Sequence, residues 1–130
     1  MPNGNGTVLV VEDDREINEL VGAYAELCGF AYRPALDGTT ALKEARRDRP
    51  AAVILDLMLP DFDGFEVCRQ MRADVSLMGV PIIILSALSS EKDKAMGFAC
   101  GADAYLTKPF NPDQLMKALS DYAQKQQPAN

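Results

Sequence analysis

Short apolar runs alternate with stretches of helical spacing along the whole chain. Thr7–Val11, Ala52–Leu55 and residues 81–85 are rich in Val, Ile and Leu and show no polar alternation, the pattern of parallel strands covered on both faces. Residues 30–35 and Ala104–Thr107 are weaker runs, and Pro34 assigns the former to a sheet edge, where a missing N–H interrupts no ladder. After the first run, Ile17, Leu20, Val21, Tyr24, Leu27 and Cys28 recur at i, i+3, i+4 and i+7. They predict one apolar helix face, stopped by Gly29. Asp37 is placed to cap a helix over about residues 39–47, and Ser89 or Ser90 one that reaches about Cys100, with Gly101 after it. Asp63 with Glu66, and Asn111 with Gln114, have capping-box spacing; Pro112 adds a proline at the first helical position.

Five strand–helix units in 130 residues leave little room for anything but compact right-handed crossovers of ~30 residues each. The predicted fold is α/β: a doubly wound, five-stranded parallel sheet in the order 2-1-3-4-5, flavodoxin-like, with five helices. A TIM barrel needs about twice this length. One domain over residues 7–124 is expected, between a disordered N-terminus (1–6) and a polar C-terminal tail (125–130).

Composition removes several kinds of function. Thirteen basic against nineteen acidic residues give a net charge of −6, the wrong sign for tracking phosphates, so direct nucleic-acid contact is not expected. With no histidine, Ser-His-Asp triads, imidazole metal ligands and a phosphohistidine of its own are excluded. Cys28, Cys68 and Cys100 form no Cys-x-x-Cys pair, which argues against zinc and disulfides and for three small buried hydrophobes. The longest uncharged stretch, residues 75–90, is too short to span a bilayer and holds Gly79 and Pro81. The first six residues have neither a basic nor an apolar signal region. No membrane contact is expected, and the expected location is the cytoplasm.

In open parallel sheets, ligands bind beyond the carboxyl ends of the strands, where strand order reverses. There the polar residues fall: Glu12-Asp13-Asp14 after the first strand, Asp56 after the third, Ser86 at the fourth and Lys108 after the fifth. Two carboxylates ~4 Å apart repel by about 4 kcal/mol at an effective dielectric near 20, so four together invite a divalent cation. Hard oxygen donors without thiolate or imidazole favour Mg²⁺, with Mn²⁺ possible. Lys108 and Ser86 suit phosphoryl oxygens, and Asp56 suits a carboxylate nucleophile. Each residue also has a plainer reading. Asp13 with Glu16 can form a capping box, Asp14 can be the cap of the first helix, and an aspartate after a strand is often a turn residue. Their joint placement is what suggests aspartyl phosphate chemistry.

Val10-Val11-Glu12-Asp13, Asp56-Leu57-Met58-Leu59-Pro60 with Gly64, Ile84-Leu85-Ser86-Ala87 and Tyr105-Leu106-Thr107-Lys108-Pro109-Phe110 resemble the signatures of the receiver domain of bacterial two-component response regulators, over almost the whole chain. The resemblance implies that Asp56 accepts a phosphoryl group from a histidine kinase or phosphotransfer protein. It implies that Asp13 ligates Mg²⁺, Glu12 acts on the metal through water, and Met58 lends only its backbone carbonyl. It implies that Lys108 pairs with phosphoryl oxygens, that the Lys108–Pro109 bond is cis, and that Ser86 and Tyr105 form a switch toward a downstream partner or an effector domain outside this chain. Such a domain is no conventional enzyme, although it assists its own phosphorylation and dephosphorylation. The competing enzyme reading is a small Mg²⁺-dependent phosphohydrolase with an aspartyl-phosphate intermediate, of the haloacid dehalogenase type, but that family wants a second aspartate where Met58 stands. A flavodoxin lacks its phosphate loop here, and a cobalamin domain its histidine.

Overall fold

The computed structural model describes residues 4–123. In chain order these form β1 (Thr7–Val11), α1 (Arg15–Leu27), β2 (Ala31–Ala35), α2 (Gly38–Arg47), β3 (Ala52–Leu55), α3 (Gly64–Ala73), β4 (Ile82–Ser86), α4 (Glu91–Ala99), β5 (Ala104–Thr107) and α5 (Pro112–Ala118). A short 3₁₀ turn, Val75–Leu77, follows α3, and a π-helical turn, Leu119–Ala123, continues α5. All strand pairs are parallel and the order is β2-β1-β3-β4-β5, as predicted. None of the described helices is long and apolar enough to cross a membrane.

The period of two along each strand explains the missing polar alternation, because successive residues serve two cores. Leu9, Val11, Val53, Leu55, Ile82 and Ile84 face α2 and α3 through Ala41, Leu42, Val67, Cys68 and Met71. Val8, Val10, Ile54, Ile83 and Leu85 face α1 and α5 through Val21, Ala25, Leu115, Ala118 and Leu119. Both sheet faces are thereby removed from water, worth roughly 25 cal/mol per Å² of apolar area. α4 is the exception: Gly97 is its one buried residue.

Caps fix where the helices begin. Asp14, not Asp13, caps α1, accepting from the Glu16 and Ile17 amides. Asp63 accepts from Phe65 and Asn111 from Asp113, but the partner side chain of the first box turns away, Glu66 bonding Arg69 and Gln70 instead. The reciprocal capping box occurs at α4, between Ser90 and Asp93. Strand limits shift by one residue: β4 starts at Ile82 and includes Ser86, and Phe30 precedes β2 as a buried plug.

The buried face of α1 differs from the predicted one. Asn18, Val21, Gly22 and Ala25 are buried, while Leu20 and Leu27 are 48% and 75% exposed. The helix approaches the sheet through its smallest side chains, and the Asn18 amide finds strand carbonyls, so apolarity alone misplaces the face by about one residue. Cys68 and Cys100 are buried, as expected; Cys28 is only half-buried. Residues 4–6 carry a turn in which Asn5 Nδ2 donates to the Cys28 carbonyl (2.9 Å). The remainder of the predicted disordered N-terminus, and the polar tail, lie outside the described residues.

α2 is held at its N-terminus from two places. Asp37 accepts from the Thr40 amide (2.7 Å). Asp61, in the β3–α3 connection, accepts from the Gly38 amide (2.8 Å), the Thr39 amide (3.0 Å) and the Thr39 hydroxyl (2.7 Å). What burial it has raises the Asp61 pKa, but these donors outweigh it and hold the carboxyl down at about 2. Because the folded pKa is depressed, the stabilisation is present above the ordinary carboxylate range and disappears as pH falls from about 4 through 2. Asp61→Ala should therefore lower stability near pH 7 by about 1 kcal/mol, as loss of a helix cap does. Urea denaturation against pH should show the gap to wild type closing below pH 4; a gap that stays constant to pH 2 contradicts the role.

Candidate functional site

Register gathers the site. Val11 pairs with Leu55 across β1 and β3, so the next residues, Glu12 and Asp56, leave adjacent strands at the same level. Ser86 pairs with Thr107, which brings Lys108 out beside them, its amide donating to the Ser86 carbonyl (2.9 Å). The Lys108–Pro109 peptide bond is cis.

Glu12, Asp56 and Ser86 are three of the four buried polar residues among those described. Oxygens of Glu12, Asp13 and Asp56 lie within 4.8 Å of one another. Asp14, the next acidic residue after this pair and a candidate cap from its sequence position, spends its carboxylate on the α1 cap. Lys108 Nζ donates to Asp56 Oδ2 (2.9 Å) and to Glu12 Oε1. Asp56 Oδ1 accepts from the Met58 amide (3.1 Å) and Glu12 Oε2 from the Asp14 amide (3.1 Å). The Met58 side chain is 57% exposed, leaving its backbone as the part that meets the site. Ser86 Oγ accepts from the Leu88 amide (3.3 Å), and the Tyr105 hydroxyl donates to the Leu88 carbonyl (2.6 Å).

The electrostatics follow from burial. Desolvation raises the Glu12 pKa, against the pull of Lys108 and the Asp14 amide; the Asp56 charge adds to the rise. Burial alone would lower Lys108, but its bonds to Glu12 and Asp56 outweigh that and raise it. With all four groups ionised, one ammonium faces three carboxylates. The surplus negative charge, the hard oxygen donors and the absence of thiol or imidazole among them fit a hard divalent cation such as Mg²⁺.

The family model for the response regulator receiver domain matches residues 8–120. This chain belongs to that family. The receiver domain is 42% identical to the transcriptional regulatory protein GltR of Pseudomonas aeruginosa over 94% of this chain and 52% of that protein. Against the alkaline phosphatase synthesis regulator PhoP of Bacillus subtilis the identity is 41%, over 85% and 45%. The chain thus spans about half the length of the curated relatives it matches. Among solved structures, a Francisella response regulator receiver domain superposes with a TM-score of 0.86 at 32% identity, covering 94% of this chain and 99% of that one. The receiver domain of sensor histidine kinase PA1611 from Pseudomonas aeruginosa, with magnesium coordinated in its active-site cleft, gives 0.83 at 30%, covering 91% and 97%. Receiver domains of two-component systems pair with histidine kinases and bind Mg²⁺ in an acidic pocket of this kind.

Two contributors carry little or no local signal in the sequence. Asp61 gives no sign of capping a helix that precedes it in the chain. Asn18 gave a faint one, a polar residue inside the apolar stretch of α1. Gly64 belongs to the motif that follows Asp56, for a steric reason: a Cβ there would lie 2.4 Å from Leu57 Cα and 2.8 Å from the Asp56 carbonyl oxygen. Backbone atoms cannot swing aside as side-chain ends do, so Gly64→Ala should cost about 1–3 kcal/mol in urea unfolding, as overpacking does. A substitution within 0.5 kcal/mol of wild type would show that the Asp56–Leu57 backbone yields.

Proposed function

We propose that Asp56 is the phosphoacceptor of this receiver domain, with Glu12, Asp13 and the Met58 carbonyl as the Mg²⁺ site. The observation that carries the reading is Asp56 itself: a buried carboxylate bonded to Lys108 and within 4.8 Å of Glu12 and Asp13 oxygens. The donor is a phosphohistidine on a histidine kinase or phosphotransfer protein. An Asp56 oxygen attacks phosphorus; the P–O bond forms as the P–N bond breaks, and the imidazole nitrogen keeps the electron pair. Lys108 turns from the free carboxylate to the phosphoryl oxygens, and the Ser86 hydroxyl donates to another. When bound, the cation neutralises charge on those oxygens and on the acidic cluster; Mn²⁺ meets the same donor set.

Self-assisted phosphorylation and dephosphorylation follow from this arrangement, since attack, charge neutralisation and orientation all come from the domain's own groups. The same reading carries a cytoplasmic location, where ATP-driven kinases make phosphohistidine. Output passes to a protein partner or to an effector unit in the same polypeptide; the transcriptional functions named for the relatives favour a gene-regulatory output. The net charge of −6 argues against direct nucleic-acid contact by this unit.

Acetyl phosphate with Mg²⁺ should add one phosphoryl group to the wild-type chain by intact mass, and none to Asp56→Asn or in excess EDTA. Undiminished labelling of Asp56→Asn, or labelling that needs no metal, removes the proposal.

Ser86 and Tyr105 form the switch in this reading. Moving Ser86 Oγ toward a phosphoryl group takes it from the Leu88 amide, and the Tyr105–Leu88 bond lies directly behind. α4, anchored by one buried glycine, is the helix least held by packing. Amide exchange with and without beryllofluoride should therefore differ over residues 87–100 and near Tyr105. Changes confined to the loops around Asp56 would show a different switch.

A further inference from the structure

The fourth buried polar residue is Asn18, 1% exposed, and it takes no direct part in the chemistry proposed above. A buried amide must be hydrogen-bonded to be tolerated, and Asn18 is fully engaged. Its Nδ2 donates to the carbonyls of Glu12 (3.0 Å) and Val10 (3.1 Å), with Ala35 at 3.3 Å, and its Oδ1 accepts from the Tyr32 hydroxyl. The Glu12 carbonyl belongs to the peptide group that joins Glu12 to Asp13. Asn18 therefore fixes the plane from which both acidic side chains depart. Its own backbone amide donates to the Asp14 carbonyl (2.9 Å), so the clamp is part of the first turn of α1.

Tyr32 extends this hold to the edge strand β2. Its ring packs where Gly22 leaves room; a Cβ on Gly22 would lie 2.5 Å from the ring. Burial, and the nearby Glu19 and Glu26 charges, raise the Tyr32 pKa, so the hydroxyl keeps the proton it donates. From Gly22 through Tyr32 and Asn18 to the Glu12 carbonyl, every contact is made by a buried or half-buried group.

We propose that Asn18 and Tyr32 are positioning residues that aim the Glu12–Asp13 backbone for cation binding and so set Mg²⁺ affinity. The inference rests on the acidic cluster being the metal site. Partners that orient ligands in this way typically change metal affinity 10- to 100-fold when removed.

The test is Mg²⁺ titration calorimetry on the full chain, at a temperature where every variant is folded, with unfolding in EDTA measured in parallel. Asn18→Ala should weaken Mg²⁺ binding about 10-fold. Tyr32→Phe keeps the ring against Gly22, removes only the hydroxyl, and should weaken binding about fivefold, the size of one hydrogen bond. In ¹⁵N spectra of wild type, the Asn18 side-chain amide should shift with the same Mg²⁺ midpoint as the Asp13 backbone amide. Should Asn18→Ala not fold, Tyr32→Phe and the wild-type spectrum decide alone. Asp13→Ala separates the two ideas. If it abolishes binding while the Asn18 and Tyr32 variants retain wild-type affinity and merely unfold more easily, these residues are structural and the inference is overturned while the metal site stands. If Asp13→Ala binds as wild type does, the metal site is elsewhere and the inference is overturned with it.

Discussion

Lys108 between Glu12 and Asp56 is the interaction on which the site depends. Two carboxylates buried side by side repel and lose hydration together, and each costs several kcal/mol unless it is paired and hydrogen-bonded. One ammonium serves both, and the Asp14 and Met58 amides supply further donors. The balance remains incomplete, since Asp13 adds a third negative charge. A fold that ends β1 and β3 side by side, with β5 two places along the sheet from β3, has thus gathered three carboxyl groups around one lysine. In the proposed chemistry a divalent ion would offset that surplus, and Lys108 would exchange its carboxylate contact for a phosphoryl one.

The rest of the structure makes this local arrangement affordable. Both faces of the sheet are covered, by α1 and α5 on one side and by α2 and α3 on the other, and the strand ends are therefore rigid. Arg72 reinforces the far end of the sheet, joining the Val80 and Gly101 carbonyls to the Asp103 carboxylate, which also accepts from the Ile82 amide. Against that frame α4 is an outlier, presenting one buried residue to its neighbours. Tyr105, on β5, packs against α4, its hydroxyl on the Leu88 carbonyl and its ring beside Gly97. A change at Ser86 has a short physical path to the helix with least packing to lose, where small differences in contact energy shift populations most.

Asn18 connects the stability of the fold with the precision of the site. The same amide that donates to the Val10 and Ala35 strand carbonyls also holds the Glu12–Asp13 peptide, so α1 cannot shift against the sheet without moving the acidic pair. Held in this way, the loop need not order itself when a ligand arrives, and preorganisation of this kind lowers the cost of binding.

Local chemistry alone was enough for the architecture and the order of the site residues. Uninterrupted apolar runs require strands covered on both faces, caps and glycines mark helix ends, and crossover handedness leaves few ways to arrange five such units. Asp13, Asp56, Ser86 and Lys108 could be named from their places after those runs because parallel strands in one sheet carry their carboxyl ends to the same side. Relative position and sharing of partners were settled only in three dimensions. Whether Asp13 or Asp14 caps α1 depends on which carboxylate the sheet draws toward Asp56. Asp61 caps a helix that precedes it, a pairing no local spacing records. Asn18 lies inward and Leu20 outward because helix–sheet distance, set by Gly22, Ala25 and the Tyr32 ring, outweighs side-chain apolarity. Periodicity reports which face of a helix is apolar, but only packing decides which face is near.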